Sequence, residues 1–216
     1  MPGSSFHLLS SNWLRSLFWL LVIAFFTALM ARIVLPYRSG QLDIDFLLSK
    51  QHVIHLWHYR AAFYLHIFPA LLVLAAGMTQ FSAVILKKIP TLHRWVGKVY
   101  VLSVLGVCGP AGFVMALYSN GGWIARSSFL TLSMLWWLTT WLAWRAIKKG
   151  AVQQHRAWMM RSYALTFSAV TLRVMQFLLA TQTHIDPDTA YQLVAWPSWV
   201  INLIVMEWVL QKYSIN

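Results

Sequence analysis

The chain has 216 residues, 59% of them hydrophobic and only 10% charged, with thirteen Trp and a formal net charge of +12. A soluble domain is roughly a quarter charged, and this chain lacks the polar groups to cover its apolar surface, so its solvent is lipid. The cations fall in short runs between apolar segments, which reads as membrane topology rather than as a nucleic-acid footprint.

A crossing takes about 20 mostly apolar residues. Six stretches qualify, each expected to be helical because lipid offers no partners for free backbone N–H and C=O groups. The first, 14–35, reads as an uncleaved anchor rather than a signal peptide, since its apolar run is long and Arg32 interrupts its far end. The loop that follows, 36–51, contains "DIDFLL", expected to lie along the membrane interface. Next comes "HVIHLWH", in which His52, His55 and His58 step by three, with His184 on the same side. Neutral imidazoles suit zinc or copper. The alternative is solvated helix-start histidines, because a structural metal normally takes four ligands.

The second span, 58–86, carries His66 about nine residues in, about 13 Å along a helix. An ionisable residue at that depth is a functional candidate, as haem or metal ligand, proton relay or quinone hydrogen-bond donor. The alternative is a neutral His bonded to a neighbouring helix. Ala70, Val73, Gly77 and Gln80 share its stripe, and the small residues let another helix come close. Lys87, Lys88, Arg94 and Lys98 surround the next turn. The third span, 94–118, contains "GVCGPAG", where Pro110 is expected to kink the helix. Cys108, the single cysteine, cannot form an intrachain disulfide.

The fourth span, 124–147, is rich in Trp and hydroxyls and has no His. A second basic turn follows, with Arg145, Lys148, Lys149, Arg156 and Arg161 and no acid. The fifth span, 155–181, sets His155, Ser162, Thr166, Ala169 and Arg173 on one face, with Gln176 beside it. Arg173 lies about 27 Å from His155 along a helix. It is expected to snorkel to the surface, pair with Asp186 or Asp188, or hold an anionic substrate group, which makes Arg173, Gln80 and Thr166 candidate substrate-binding residues. The sixth span, 191–211, adds Asn202 in mid-membrane and Glu207 near the basic turns.

These elements predict an all-α integral membrane bundle of six transmembrane helices, one transmembrane domain over 1–216. The two strongly basic turns belong on the cytoplasmic side, which puts both termini inside. Spans two–three (about 58–118) and four–five (about 124–181) form two hairpins of like orientation. "LHRWVGKVY" and "QHRAWMMRSY" each open the second helix of a hairpin. The expectation is a four-helix core of two parallel repeats, with His93 and His155 at one depth. Paired imidazoles can hold a haem iron from both sides if their ligating nitrogens lie about 4 Å apart, by analogy with bonds of about 2 Å from imidazole to zinc. Arg94, Lys98, Arg156 and Arg161 would then neutralise propionates. The other readings are a duplicated pair of interfacial anchors and proton handling.

Those two phrases, with "YLHIFPALLVLAAGMTQF" at 64–81, resemble a widespread group of bacterial membrane proteins that share a domain of unknown function. The resemblance covers roughly residues 60–180 and implies a multi-span protein of the bacterial inner membrane, with no activity attached. More distantly, the chain is similar to the di-haem b-type cytochrome superfamily, which implies haem b and a quinone or another membrane redox protein as partner. That superfamily places a His pair at each membrane face, whereas span four has no His to match His66, so at most one haem carries over. Gly-rich phosphate loops, H-E-x-x-H and Cys-x-x-Cys are absent from the sequence. Two functions remain. One is a b-type haem or quinone-linked redox component, which needs His93 and His155 to face each other. The other is a non-redox small transporter or accessory subunit, which needs a cavity reaching from His66 towards Arg173.

Overall fold

The computed structural model describes residues 5–182 and 185–214, and within them the chain is mainly helical, with no strand. His184 lies outside the described residues. Ten α-helices occur among those described: α1 (Ser5–Val34), α2 (Trp57–Gln80), α3 (Ala83–Lys88), α4 (Pro90–Ser103), α5 (Gly109–Leu117), α6 (Gly122–Lys148), α7 (Val152–Thr166), α8 (Ser168–Gln182), α9 (Pro187–Ala195) and α10 (Pro197–Ser214). Five segments are long and apolar enough to cross a membrane: Ser16–Ser39, Trp57–Gln80, Pro90–Leu117, Val152–Thr181 and Pro187–Lys212. The 27 residues of α6 reach about 40 Å, but α6 falls outside this apolar set.

Several elements differ from the sequence reading. The second span stops at Gln80, not 86, because Ser82 turns extended and caps a new helix, its Oγ accepting from Ile85 N–H at 3.3 Å. The third is α4 and α5 joined by a π turn, Val104–Cys108, closed by the Gly109 N–H on the Val104 carbonyl. A Cβ at Gly109 would lie 2.3 Å from that carbonyl oxygen, and Pro110 has no N–H to give. Gly-Pro therefore widens the helix by one residue rather than breaking it. The fifth breaks at Phe167, whose carbonyl accepts the Val170 N–H in a tight turn. The sixth divides at Trp196, ahead of Pro197; Trp196 keeps helical dihedrals (φ −72°, ψ −49°), and the ladder is interrupted because Pro197 has no N–H to donate.

The "DIDFLL" loop is packed rather than extended. Asp45–Lys50 winds into a 3-10 turn that folds onto the bundle end and buries Leu47 beside Tyr37, Val53, Ile54, Tyr59 and Phe63. Leu47, Lys50 and Val53 step by three, the period of that helix, and all three are buried. The main core lies between α2, α4, α6, α7 and α10, around Val73, Tyr100, Val104, Trp136, Leu165 and Trp199. It holds polar links as well. Tyr163 lies across Gly77 and donates to the Leu74 carbonyl at 2.8 Å, and Asn202 joins the Ala164 carbonyl to Thr171.

Candidate functional site: an intrabundle cavity

A cavity of about 250 Å³ opens within the bundle, near the low end of ordinary ligand pockets, about 300–1,000 Å³. Its walls come from α1, α2, α5, α6, α7 and α8, with single residues of α9 and α10 and the 3-10 turn Asp45–Lys50. It runs from the level of Trp136 and Thr166 to that of Lys50, Asn120 and Tyr191, at the end of the bundle opposite the basic turns. Most of the lining is apolar. Both His66 and Arg173 are among its polar residues.

His66 is held by the widened helix. Its Nδ1 lies 2.7 Å from the Cys108 carbonyl at the end of the π turn. A carbonyl only accepts, so Nδ1 carries the proton and the neutral ring keeps Nε2 as an acceptor. A Cβ at Gly112 would lie 2.9 Å from both Nδ1 and Cε1, so this seat exists because residue 112 has no side chain. The Trp136 ring meets the imidazole edge-on at 6.2 Å.

At the opposite end, Lys50 is 1% exposed. Its Nζ donates to the Tyr118 carbonyl at 2.5 Å and to the Asn120 side chain. Burial pushes its ammonium down to about 8, because desolvation disfavours the charged form. Arg173 donates to Gln176 Oε1 at 2.8 Å. The expected ion pair of Arg173 with Asp186 or Asp188 is not formed among the described residues. Asp186 instead caps α9, accepting from Thr189 N–H and Oγ1, which lowers its carboxyl below the usual range.

Thr166 lines the cavity, but its hydroxyl is occupied. One proton order satisfies the buried group. Thr140 donates to Ser162 (2.7 Å), Ser162 to Tyr100 (2.7 Å), Tyr100 to Thr166 (2.8 Å), and Thr166 to the Ser162 carbonyl (3.1 Å). The Trp136 Nε1–H adds a second donor to Thr166 at 3.0 Å. Ser162 thus belongs to this chain of hydroxyls, not to the cavity wall. Gln80 lines neither. Its Nε2 donates to the His93 carbonyl at 3.1 Å, near the basic turns.

His93 and His155 occupy matching positions, each three residues past the first residue of its helix, and they are near enough to interact electrostatically. His155 Nδ1 donates to the Ala143 carbonyl at 2.9 Å, and the buried His93 Nδ1 has no partner. Neither lines the cavity. The surrounding cations have other engagements. Lys98 lies over Trp95 at 5.1 Å, and Arg161 lies over Trp158 at 4.7 Å while forking onto Glu207 at 2.5 and 2.8 Å. Arg94 and Arg156 are exposed. Arg145 over Trp141 and Lys212 over Trp208 repeat the pattern on α6 and α10. Trp–cation pairs on α4, α6, α7 and α10 therefore ring the basic end, as an interfacial belt does.

The histidines His52, His55 and His58 do not come together. Residues 51–55 form a turn rather than a helix, so the three-residue spacing does not stack the rings. His58 Nε2 is bonded to the Tyr118 hydroxyl at 2.8 Å. Among the described residues no three His, Cys, Asp or Glu side chains are grouped to hold a metal ion.

Lys50, Tyr100 and Trp136 were not singled out by sequence. The signal for Lys50 was its place between Leu47 and Val53 on a three-residue period. Tyr100 and Trp136 gave none, because their partners lie on other helices. No curated protein and no solved structure matches the chain. The family model "Predicted membrane protein (DUF2306)" matches residues 63–210, which span α2 to α10. The chain belongs to this family of predicted membrane proteins, whose shared domain has no assigned function.

Proposed function

We propose that the protein is a multi-pass protein of the bacterial inner membrane that binds a small molecule in its intrabundle cavity, as a small transporter or an accessory subunit without redox chemistry. The observation that carries this reading is a single cavity lined at one end by His66 and at the other by Arg173. Its apolar walls with a few converging polar groups are those of a ligand site.

On this reading α6 is a sixth crossing. Its hydropathy is lowered by five Trp and by Ser and Thr. Ser127, Thr131, Ser133 and Thr139 all donate back to carbonyls of α6 itself, which removes most of the cost of placing them in lipid. The basic turns face the cytoplasm, as Lys and Arg do in short loops, and the cavity mouth faces outwards. The two hairpins are parallel repeats, supported by the matching positions of His93 and His155.

A second reading, a redox component with haem b and a quinone or protein partner, rests on those two histidines. The imidazoles fit a haem iron as donors, and a His155 ring steadied through Nδ1 resembles the outer-shell support of metal-bound imidazoles. The propionate cations fit poorly, since Lys98 and Arg161 are engaged elsewhere. The cavity itself does not fit, because among the described residues His66 is the sole imidazole on its wall.

Two measurements separate the readings. The ligand reading predicts no b-type band in a reduced-minus-oxidised spectrum of the purified protein. It also predicts that the neutral probe N-phenyl-1-naphthylamine fluoresces with wild type and loses that signal in Ala70→Phe, which fills the cavity wall. A haem band abolished by His93→Ala or His155→Ala would establish the redox reading instead.

A further inference from the structure

The charge on the cavity wall has one sign. Lys50 and Arg173 line it, and among the described residues no Asp or Glu does. Among the described residues Arg161–Glu207 is the one ion pair, and it lies at the other end of the bundle. Arg126 stands near enough to Lys50 to oppose its charge, and the Arg126 Nε is buried without a partner. Among the described residues no acid at this end forms an ion pair with Lys50 or Arg173. Asp188 acts on Lys50 only without forming an ion pair, Asp45 lies near Tyr37, and Asp186 is committed to capping α9. Buried charges are ordinarily paired, so buried Lys50 and half-buried Arg173, neither held in an ion pair, leave a place for a carboxylate.

A second observation points the same way. Tyr59 and Ser119 are on this wall, and their buried hydroxyls have no partner. Tyr59 is 0% exposed, and an unpaired polar atom at such a site calls for a missing partner. An apolar stretch of lining comes from Met30 and Ile33 of α1, Ile67, Leu71 and Leu74 of α2, and Leu132 of α6.

Resting on the ligand-binding reading above, we propose that the ligand is a slender monoanionic amphiphile: a carboxylate head received by Lys50 and Arg173, and an apolar body lying towards His66. Ammonium and guanidinium donors are the groups that bind carboxylates through charge-assisted hydrogen bonds. The hydroxyls of Tyr59 and Ser119 supply further donors. The volume admits a single short chain and excludes a two-chain phospholipid.

The test is equilibrium dialysis of radiolabelled octanoate and octanol against the protein in lipid nanodiscs, with binding to empty nanodiscs subtracted. Wild type should bind octanoate about tenfold or more tighter than octanol, the size of a hydrogen bond to a charged group. Arg173→Gln should lose that preference and keep octanol binding. Ala70→Phe should lose both. Equal affinity of wild type for the two probes overturns the anion assignment and leaves the cavity reading standing. Binding that survives Ala70→Phe unchanged, or no binding to wild type, overturns both.

Discussion

Gly112→Ala tests how the cavity is made. The added Cβ would lie 2.9 Å from two ring atoms of His66, a distance at which something must move. The ring cannot yield alone, because its Nδ1 is bonded to the Cys108 carbonyl at 2.7 Å and the Trp136 ring stands beside it. Overpacking costs about 1–3 kcal/mol, and the lost hydrogen bond about 1 kcal/mol. Alanine returns up to about 1 kcal/mol of helix propensity relative to glycine. The net is a destabilisation of about 1–3 kcal/mol, which for a chain of this size lowers Tm by about 2–4 °C for each kcal/mol. The displaced imidazole also enters the cavity, so probe binding falls. Thermal melts of wild type, Gly112→Ala, His66→Ala and the double variant give the coupling. Removing the ring should abolish the alanine penalty, with an interaction energy within about 0.5–3 kcal/mol. If Gly112→Ala melts at or above wild type, or if the two substitutions simply add, His66 does not occupy this seat.

Three further outcomes are expected. Thr166→Val removes the acceptor shared by Tyr100 and Trp136 and should cost about 1–3 kcal/mol in chemical denaturation, whereas a change below about 0.5 kcal/mol would contradict the buried hydroxyl chain. Lys50 sits at about 8 against an ordinary 10.5, so between those values the unfolded chain holds a proton that the folded one has released. Stability of the ligand-free protein should therefore rise with pH across that window and be lost as pH falls through about 8. Lys50→Met should flatten the rise in Tm measured from pH 7.5 to 9.5, and an equal slope in both proteins would refute the assignment. For topology, a reporter fused after Lys149 should behave as cytoplasmic and one at Asn120 as external, while both on one side would remove α6 as a crossing.

Helical character and membrane residence were legible because they rest on composition and on apolar runs, which need no tertiary knowledge. The polar face of the fifth span was legible in part, since Thr166 and Arg173 do line one cavity, at the spacing read from the sequence. Span ends were harder. An apolar run continues through Ser82 and through Phe167, and only a cap in one case and a tight turn in the other breaks the helix. Lys50 escaped because a lone cation in a loop ordinarily stays in water, and its burial depends on Tyr118 and Asn120, about 70 positions on. The repeated His-Arg phrase drew attention to its histidines. Its Trp-x-x-cation part recurs in the structure as Trp95–Lys98 and Trp158–Arg161, with a similar pairing on α6 and α10 that no shared phrase announced.

Native mass spectrometry of the protein purified from membranes tests the central claim most directly. The account predicts a bound small molecule of acidic character on wild type, released by collisional activation and absent from Ala70→Phe prepared alongside it. A wild-type spectrum showing bare protein alone, or the same adduct on Ala70→Phe, would contradict a ligand site between His66 and Arg173.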